Sequence, residues 1–346
     1  MQDIKELTPE ELEKVIVGWG VPRFHARQIY AWIYQKGASA FSEMSNLPLS
    51  LRIKLEKEFS LSRPEVIKAM QSRDSTEKLL LKLTDNNLIE AVIIPAQRRV
   101  TGCISTQAGC KFKCSFCASG TQGFKRNLTS AEIIEEVLCI KERLKNAKLT
   151  HLVFMGTGEP LDNYDNVLKA IRVINSPEGL HIGSRRITIS TCGIIPGIRK
   201  LSEEGLQVEL SVSLHAARDE LRSRILPVNK KYPLKDLLAT CKEYIERTNR
   251  QITFEYILIA GVNSTLQDAA DLVRILKGLR LCKVNLIPVN PVEELGVYPP
   301  KKLEILFFRD ALLKQGINAI LRKSRGEDIE AACGQLRLRH EKVHSS

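Results

Sequence analysis

The pattern of hydrophobic and polar positions divides this 346-residue chain into three regions. Over residues 1–62 the apolar positions recur at helical spacing, which predicts a small helical module. Its first helix begins at Thr8, which forms a capping box with Glu11. A second helix is predicted over about residues 23–36, and a third follows Pro48. We interpret this module as an accessory domain.

Residues 63–97 have the pattern of strands instead. The runs K-L-L-L-K-L and L-I-E-A-V-I-I-P are typical of two strands, and the D-N-N between them is a turn signal. The pattern predicts a β extension that links the helical module to the rest of the chain.

From residue 98 onward, short apolar strands alternate with helical stretches such as 130–144, 163–175, 234–248 and 266–277. This alternation favours an α/β fold in which helical crossovers join a parallel sheet. About six such units fit a partial (β/α)6 barrel of the TIM type over residues 98–325, followed by a C-terminal segment, 326–346. The six predicted strands cover residues 103–106, 151–155, 186–191, 208–214, 251–259 and 283–287.

Composition narrows the function classes. A hydrophobic content of 43% supports a packed core. We expect a soluble, cytoplasmic protein, because the charged N-terminus lacks a signal-peptide core and no apolar run approaches the ~20 residues that span a bilayer. Nine cysteines then suggest metal or redox chemistry rather than a disulfide framework. The net charge of +12 favours polyanionic partners but leaves nucleic acid open.

The run G-C-K-F-K-C-S-F-C contains a Cys-x3-Cys-x2-Cys triplet, formed by Cys110, Cys114 and Cys117. Three thiolates can bind three irons of an iron–sulfur cube and leave the fourth iron open to a small molecule. Zinc is the alternative, but it usually takes four ligands. The next candidates downstream are Cys139 and His151, and neither is close.

The triplet resembles the signature of the radical S-adenosylmethionine (SAM) enzymes. That resemblance implies one [4Fe-4S] cluster held by these three cysteines, whose open iron chelates SAM and whose electron generates a 5′-deoxyadenosyl radical. Residues 155–160, M-G-T-G-E-P, follow the second predicted strand and resemble the family's Gly-Gly-Glu-Pro element. Two glycines let a backbone approach a ligand closely, and Gly158 and Glu159 would hold the amino group of SAM.

Five other candidate residues end or follow later predicted strands, where barrel enzymes collect their active sites. Each offers a group for the ribose, carboxylate or adenine of SAM. For any one of them a turn or capping role is the alternative. His215 can equally be a satisfied histidine at the barrel mouth. These residues are Ser190, Ser213, Leu214, His215 and Asn290.

Two further cysteines stand apart from the triplet. Cys333 lies in R-G-E-D-I-E-A-A-C-G-Q-L, whose charged, glycine-containing surroundings indicate an exposed loop that suits a reactive thiol. Cys103 lies seven residues before Cys110. A buried structural role is the alternative for both, and it is the expectation for the remaining cysteines. Those are Cys139, Cys192, Cys241 and Cys282.

The combination of motifs resembles the adenine-C2 RNA methyltransferases of the radical SAM superfamily. The matching strings are CISTQAGCKFKCSFCASGTQGFKRNLT, FMGTGEPLDNYDNV, ITISTCGI, LSVSLHA, VNLIPVNP and RGEDIEAACGQLR. The resemblance implies methylation of an adenosine in 23S rRNA and of the adenosine 3′ of the tRNA anticodon. It also implies a reducing partner such as flavodoxin or ferredoxin, and a monomer.

The resemblance further implies a mechanism that uses two SAM molecules per turnover. One methylates Cys333, and the radical from the second takes hydrogen from that S-methyl group, so that a methylene radical adds to adenine carbon-2. Cys103 then releases the product through a transient disulfide with Cys333. Glu90 matches the proton acceptor, although an outward-facing strand residue is the alternative reading.

Three other functions stay open on the sequence: methylation of carbon-8 of the same adenosine, a radical SAM activase or maturase, and a zinc RNA-binding protein. The first shares most motifs, the second needs no thiol at Cys333, and the third needs no iron. Candidate RNA contacts are cations and aromatics near the N-terminal helix, the cluster loop and the C-terminus. They are Arg23, Arg27, Tyr30, Trp32, Lys125, Arg126, Arg322, Lys323, Arg325, Arg337 and Arg339.

Overall fold

A ten-stranded mixed sheet organises the chain in a computed structural model. The structure describes residues 1–121, 123–144, 147–291, 296–322, 325–326 and 329. The C-terminal segment that contains Cys333 lies outside the described residues.

The N-terminal module is helical, as the apolar spacing predicts. Thr8 and Glu11 form the expected capping box, with reciprocal hydrogen bonds of 3.2 and 2.8 Å. The predicted second helix is α-helical over its first half only and continues as a π-helix to Lys36, where Gly37 ends it with φ = +74°. The elements are β1 (Gln2–Asp3), α1 (Pro9–Gly18), α2 (Phe24–Tyr30), α3 (Leu49–Glu58) and β2 (Phe59–Ser60), with β1 parallel to β2.

The β extension is an antiparallel ribbon of three strands, β3 (Glu65–Gln71), β4 (Glu77–Lys82) and β5 (Leu88–Ala96). The last two confirm the predicted pair, and Asn86 supplies the turn between them with φ = +66°. The outer strand, β3, is missing from the prediction because both of its faces are largely exposed and its sequence lacks a clear alternation.

The rest of the chain confirms the predicted α/β partial barrel. Five predicted strands agree with the structure to within one residue at each end. The strands are β6 (Arg99–Cys103), β7 (Gln107–Gly109), β8 (Phe124–Asn127), β9 (His151–Phe154), β10 (Ile187–Thr191), β11 (Glu209–Ser213), β12 (Ile252–Leu258), β13 (Cys282–Pro288) and β14 (Ala319–Leu321). The helices are α4 (Ala118–Thr121), α5 (Ser130–Arg143), α6 (Tyr164–Asn175), α7 (Ile195–Glu203), α8 (Asp219–Ile225), α9 (Leu234–Thr248), α10 (Leu266–Leu276) and α11 (Lys302–Lys314).

Two details of the predicted barrel are wrong. Its first strand ends at Cys103 rather than beginning there, because the polar run before Cys103 is held in the sheet by antiparallel pairing with β5. The barrel also has a seventh parallel strand, β14, whose three residues are too short to give a periodic signal. The strand order is β14-β13-β12-β11-β10-β9-β6-β5-β4-β3, while β7 and β8 form a separate hairpin.

The described chain shows how strongly this sheet curves. Arg325 lies 3.6 Å from Asp74, in the turn between β3 and β4, and the amide of Gly326 donates to the same carboxylate at 3.2 Å. Arg325 follows Leu321, the end of β14, by four positions, a stretch that spans at most about 14 Å. The two ends of the strand order therefore lie close together, and the sheet is curled into a barrel.

A buried lysine joins the N-terminal module to the barrel. The side chain of Lys5 is fully buried, and its ammonium lies 3.0 Å from Asp3 and 3.2 Å from Glu135 on α5. It also donates to the carbonyl of Ser62 at 2.9 Å. Burial raises the pKa of Glu135, and the ammonium of Lys5 opposes that rise.

We expect Lys5→Met to weaken this junction, because it leaves two buried carboxylates without their cation. Loss of one partner of a buried ion pair typically costs about 3–5 kcal/mol. Urea unfolding of the purified chain measures the loss. The exposed residue Lys57 provides a control: Lys57→Met should change the free energy of unfolding by less than about 0.5 kcal/mol. Equal effects from the two variants would contradict the assignment.

Candidate active site

A cavity of roughly 330 Å³ opens at the carboxyl ends of the parallel strands. This is a size typical of small-molecule sites in proteins. The loop that follows β7 supplies one wall, and the ends of β9 to β13 supply the rest. The predicted site residues that line it are Cys110, Cys114, Cys117, Gly158, Glu159, Ser190, Ser213, His215 and Asn290.

The three cysteine thiols face the cavity together. Burial and the field of Cys117 raise the pKa of Cys110 to about 12. Burial and the fields of Cys117 and Cys110 raise the pKa of Cys114 well above its usual value. Thiolates form in such surroundings only beside a strong positive charge, which a bound metal centre supplies. In the part of the chain that the structure describes, no three His, Cys, Asp or Glu side chains are arranged around a single ion. Thiolates that bind separate irons of one cube are spread more widely than that, so the arrangement is compatible with a cluster.

The glycines of the M-G-T-G-E-P loop are needed for packing as well as for access to the cavity. A Cβ added to Gly156 would lie 2.6 Å from the carbonyl oxygen of Ile104. One added to Gly158, where φ is +108°, would lie 2.6 Å from the Cβ of Gln107. Backbone contact between the first and second strand loops therefore excludes any side chain at both positions. This requirement adds to the ligand approach expected from the sequence.

Glu159 ties two strand ends together beside the cavity. Its carboxylate accepts hydrogen bonds from the amides of Cys192 at 2.7 Å and Leu161 at 3.0 Å. Its own amide donates to Gln107 at 3.0 Å. Burial raises the pKa of this carboxyl, and the hydrogen bond from the Cys192 amide partly offsets the rise. A ligand contact would be an addition to this structural role.

His215 both lines the cavity and is partly satisfied within the fold. Its Nδ1 accepts a hydrogen bond from the amide of Ile257 at 3.1 Å, so the ring proton is on Nε2. Burial lowers the pKa of the imidazole to about 3, which keeps it neutral. The rings of His215 and Phe116 pack edge to face, with their centroids 4.9 Å apart. A left-handed φ of +59° turns the chain at this residue.

Leu214 has a different position. Its side chain is fully buried in the core, and it is absent from the cavity wall. Any part that this residue takes in binding would involve its backbone. Its carbonyl, however, already accepts a hydrogen bond from the guanidinium of Arg222 at 3.1 Å.

Sequence reasoning missed three residues of this region. Arg222 is fully buried and donates to the carbonyls of Leu214, Ser213 and Cys192, and so links two strand ends. Cys192, expected to be only structural, lines the cavity, as does the buried carboxyl of Glu255. Nothing in the sequence distinguishes Arg222 from its neighbours Arg218 and Arg224.

A second, larger chamber of roughly 620 Å³ lies along the inner face of the strands and shares four lining residues with the cavity. The shared residues are Met155, Glu255, Ile287 and Asn290. Four cationic side chains line it: Arg99, Lys283, Arg322 and Arg325. His151 also lines it, and burial lowers the pKa of this imidazole.

Cys103 and Glu90 are buried on the inner face of the sheet. In the register of the strands, Cys103 is paired with Val92 on β5 and with Val153 on β9, and Val153 lines the chamber. Paired residues project to the same side of a sheet, as do residues two apart along a strand. Glu90, two residues before Val92, therefore shares this face. Neither residue lines the cavity that contains the cysteine triplet.

Several candidate RNA contacts have other partners. Tyr30 is buried and donates to the carbonyl of Leu7, and Arg126 is paired with Asp85 and Glu132. The chamber instead contains Arg322 and Arg325. Arg337 and Arg339, like Lys323 and Cys333, lie outside the described residues.

Comparisons with known proteins identify the family. A model of the radical SAM superfamily matches residues 104–273, and one of the ribosomal RNA large subunit methyltransferase N-terminal domain matches residues 2–61. A probable dual-specificity RNA methyltransferase RlmN of Pelotomaculum thermopropionicum is 47% identical over 97% of this chain and 91% of its own length. The chain belongs to the RlmN family.

Other RlmN relatives agree with this assignment. The probable dual-specificity RNA methyltransferase RlmN of Clostridium perfringens strain SM101 is 46% identical, with 97% of both chains covered. The crystal structure of a radical SAM methyltransferase from Sphaerobacter thermophilus matches with a TM-score of 0.92 and 42% identity, over 97% of this chain and 99% of that one. The predicted radical SAM barrel is therefore confirmed.

Membership of the radical SAM superfamily implies a [4Fe-4S] cluster and SAM. The cavity fits both: one wall presents three thiols, and the other walls carry hydroxyl, amide and imidazole groups. Among the described helices, none is both long enough and apolar enough to span a bilayer.

We expect Gly158→Ala to destabilise the site, because alanine rarely adopts φ = +108° and its Cβ would overlap Gln107. The strain should lower the free energy of unfolding by about 1–3 kcal/mol, which thermal or urea unfolding measures. Gly183→Ala is the matched control, since no atom lies within 4 Å of the added Cβ. A neutral Gly158→Ala would refute the packing role of this glycine.

Proposed function

We propose that this chain is a radical SAM methyltransferase that methylates carbon-2 of an adenosine in 23S rRNA and of the adenosine 3′ of the tRNA anticodon. One observation carries the proposal. A single cavity collects the cysteine triplet and the polar ends of five strands, and it adjoins a basic chamber. Cys103 and Glu90 lie on the same face of the sheet as Val153, which lines that chamber. The relatives named as dual-specificity RNA methyltransferases support the substrate class.

In this proposal the chain supplies three ligands to one cluster: Cys110, Cys114 and Cys117. The bound cluster and SAM supply a carbon radical. Gly158 and Glu159 hold the amino group of SAM, which a carboxylate beside a backbone carbonyl suits. The remaining polar atoms of SAM are bound by Ser190, Ser213, the backbone of Leu214, the Nε2–H of His215 and Asn290.

Three side chains carry the transfer itself. Cys333 accepts a methyl group from one SAM molecule, and the carbon of that group is passed to adenine after a second SAM molecule is consumed, so that each turnover uses two. The thiol of Cys103 then attacks the sulfur of Cys333, so that a disulfide forms as the carbon–sulfur bond between enzyme and RNA breaks, and the released carbon keeps the bonding pair and takes up a proton to become the methyl group. Glu90 accepts the proton from carbon-2 of the adduct.

The partners follow from charge and size. The net charge of +12 and the four arginine and lysine side chains of the chamber suit an RNA backbone, and the target base would have to leave its stack to reach the barrel. We propose that flavodoxin or ferredoxin supplies electrons, and that the enzyme acts as a monomer in the cytoplasm.

The decisive test follows the methyl group. After anaerobic incubation with SAM, mass spectrometry of the intact chain should show one added methyl, and peptide mapping should assign it to Cys333. Cys333→Ala should lose the modification and all RNA methylation. Cys282→Ala is a matched control, because Cys282 does not line the cavity.

Other results would overturn the proposal. Full RNA methylation by Cys333→Ala would exclude the methyl-cysteine route, and an unmodified Cys333 in cluster-loaded enzyme would indicate another radical SAM substrate. Digested rRNA with methyl on carbon-8 would contradict the carbon-2 assignment. Zinc without iron or sulfide after anaerobic purification would favour a binding protein.

A further inference from the structure

Lys78 is a buried cation that the proposed mechanism leaves without a role. Its side chain is fully buried, and its ammonium lies 3.0 Å from Oε2 of Glu90, whose side chain is 3% exposed. Lysine is rarely buried to this extent unless it is paired. The pair therefore needs an explanation that a surface ion pair would not.

The strand register places this pair beside Cys103. Lys78 on β4 is paired with Val92 on β5, and Val92 is paired with Cys103 on β6. The three side chains form one row across the sheet and project to the same side, because cross-strand partners share a face. Glu90 occupies the next position of that face along β5. The row continues through Val153, which lines the basic chamber.

Two neighbours of Glu90 on this face are aliphatic. Its cross-strand partner is Leu80, which is fully buried, and Leu88 two residues earlier is also buried. Aliphatic side chains offer no hydrogen bond that could hold a carboxylate in one orientation. The ammonium of Lys78, which lies 3.0 Å from Oε2 of Glu90, does offer one.

The backbone of Glu90 is also fixed to the active-site loops. The hydroxyl of Ser105 donates to the carbonyl of Glu90 at 2.8 Å. The same hydroxyl accepts a hydrogen bond from the amide of Thr157, in the M-G-T-G-E-P loop, at 3.0 Å. Movement of β5 relative to the cavity would break this chain of contacts. The backbone of Glu90 is therefore held in place by Ser105, and its carboxylate is held by Lys78.

We propose that Lys78 is a positioning residue that orients Glu90 as the proton acceptor for the release of methylated adenosine, an inference that rests on the function proposed above. In this step the C–H bond at carbon-2 of the adduct breaks, its electron pair stays in the ring, and the proton moves to a carboxylate oxygen of Glu90. Lys78 acts before the step by holding the carboxylate in place.

The test separates formation of the covalent enzyme–RNA adduct from its release. Cluster-loaded enzyme, SAM, a chemical reductant and a 23S rRNA fragment are combined anaerobically. Methyl-Cys333 is measured by mass spectrometry, 5′-deoxyadenosine by chromatography, and adduct on a denaturing gel. The variants are Lys78→Met, Lys78→Arg, Glu90→Gln and the double variant of Lys78→Met with Glu90→Gln. Cys103→Ala serves as the reference for a trapped adduct.

We expect Lys78→Met to retain methyl-Cys333 and 5′-deoxyadenosine formation, to accumulate adduct, and to release product about tenfold more slowly or worse. Lys78→Arg, which keeps the charge, should release it at close to the wild-type rate. In the Glu90→Gln background Lys78→Met should add nothing, because the lysine acts through the glutamate. Lys82→Met is the control on the same strand, since the ammonium of Lys82 is partly exposed and lies 3.9 Å from Glu65.

The double variant contains no uncompensated charge, so it keeps the test valid if Lys78→Met alone folds poorly. Wild-type release by Lys78→Met, while Glu90→Gln accumulates adduct, would overturn the role of Lys78 and leave the proposed function standing. An additive loss in the double variant would also overturn it. Absence of both methyl-Cys333 and any adduct in cluster-loaded wild type and Cys103→Ala would refute the proposed function itself.

Discussion

The active site depends on direct backbone contact between the loop after β6 and the loop after β9. Gly156 and Gly158 allow the two loops to touch, and the amide of Thr157 reaches the hydroxyl of Ser105. The first loop leads from Cys103 to the cysteine triplet, and the second contains Glu159. A side chain at either glycine would separate them by the width of a methyl group or more. Every other placement in the cavity is built on this contact.

Buried charges reinforce that contact at its margins. Glu136 on α5 is fully buried, accepts a hydrogen bond from the amide of Ser105 at 2.9 Å, and has its pKa raised strongly by burial. Its carboxyl anchors the start of the first loop through this hydrogen bond. On the far side, Arg222 draws together the carbonyls at the ends of β10 and β11. These groups hold strand ends that the hydrophobic core alone does not fix, because strand ends lie at its edge.

Much of this arrangement can be predicted from the sequence, for reasons that differ by element. Every residue of the five central strands is buried or half-buried, so their apolar runs give their positions to within one residue. The cysteine triplet is visible because its spacing is unusual, and the residues that follow each strand are visible because barrel sites gather there. β14 and β3 are invisible to the same reasoning, since one is three residues long and the other is exposed. Arg222 and Lys78 are invisible for another reason: their roles arise from contacts across the fold, and a lone charged residue in a sequence reads as surface.

The two cavities differ in the groups that line them. The cavity that contains the cysteine triplet is lined by thiols, hydroxyls and a neutral histidine, and none of its lining residues is exposed. The chamber carries at least four arginine or lysine side chains, which suit a polyanion rather than a thiol-bound cluster. Cys103 lies in the sheet row that leads to the chamber, only a few residues along the chain from the cluster cysteines. In the function proposed above, this position lets the thiol of Cys103 reach a sulfur that approaches from the chamber, while the short connecting loop keeps it apart from the cysteine triplet.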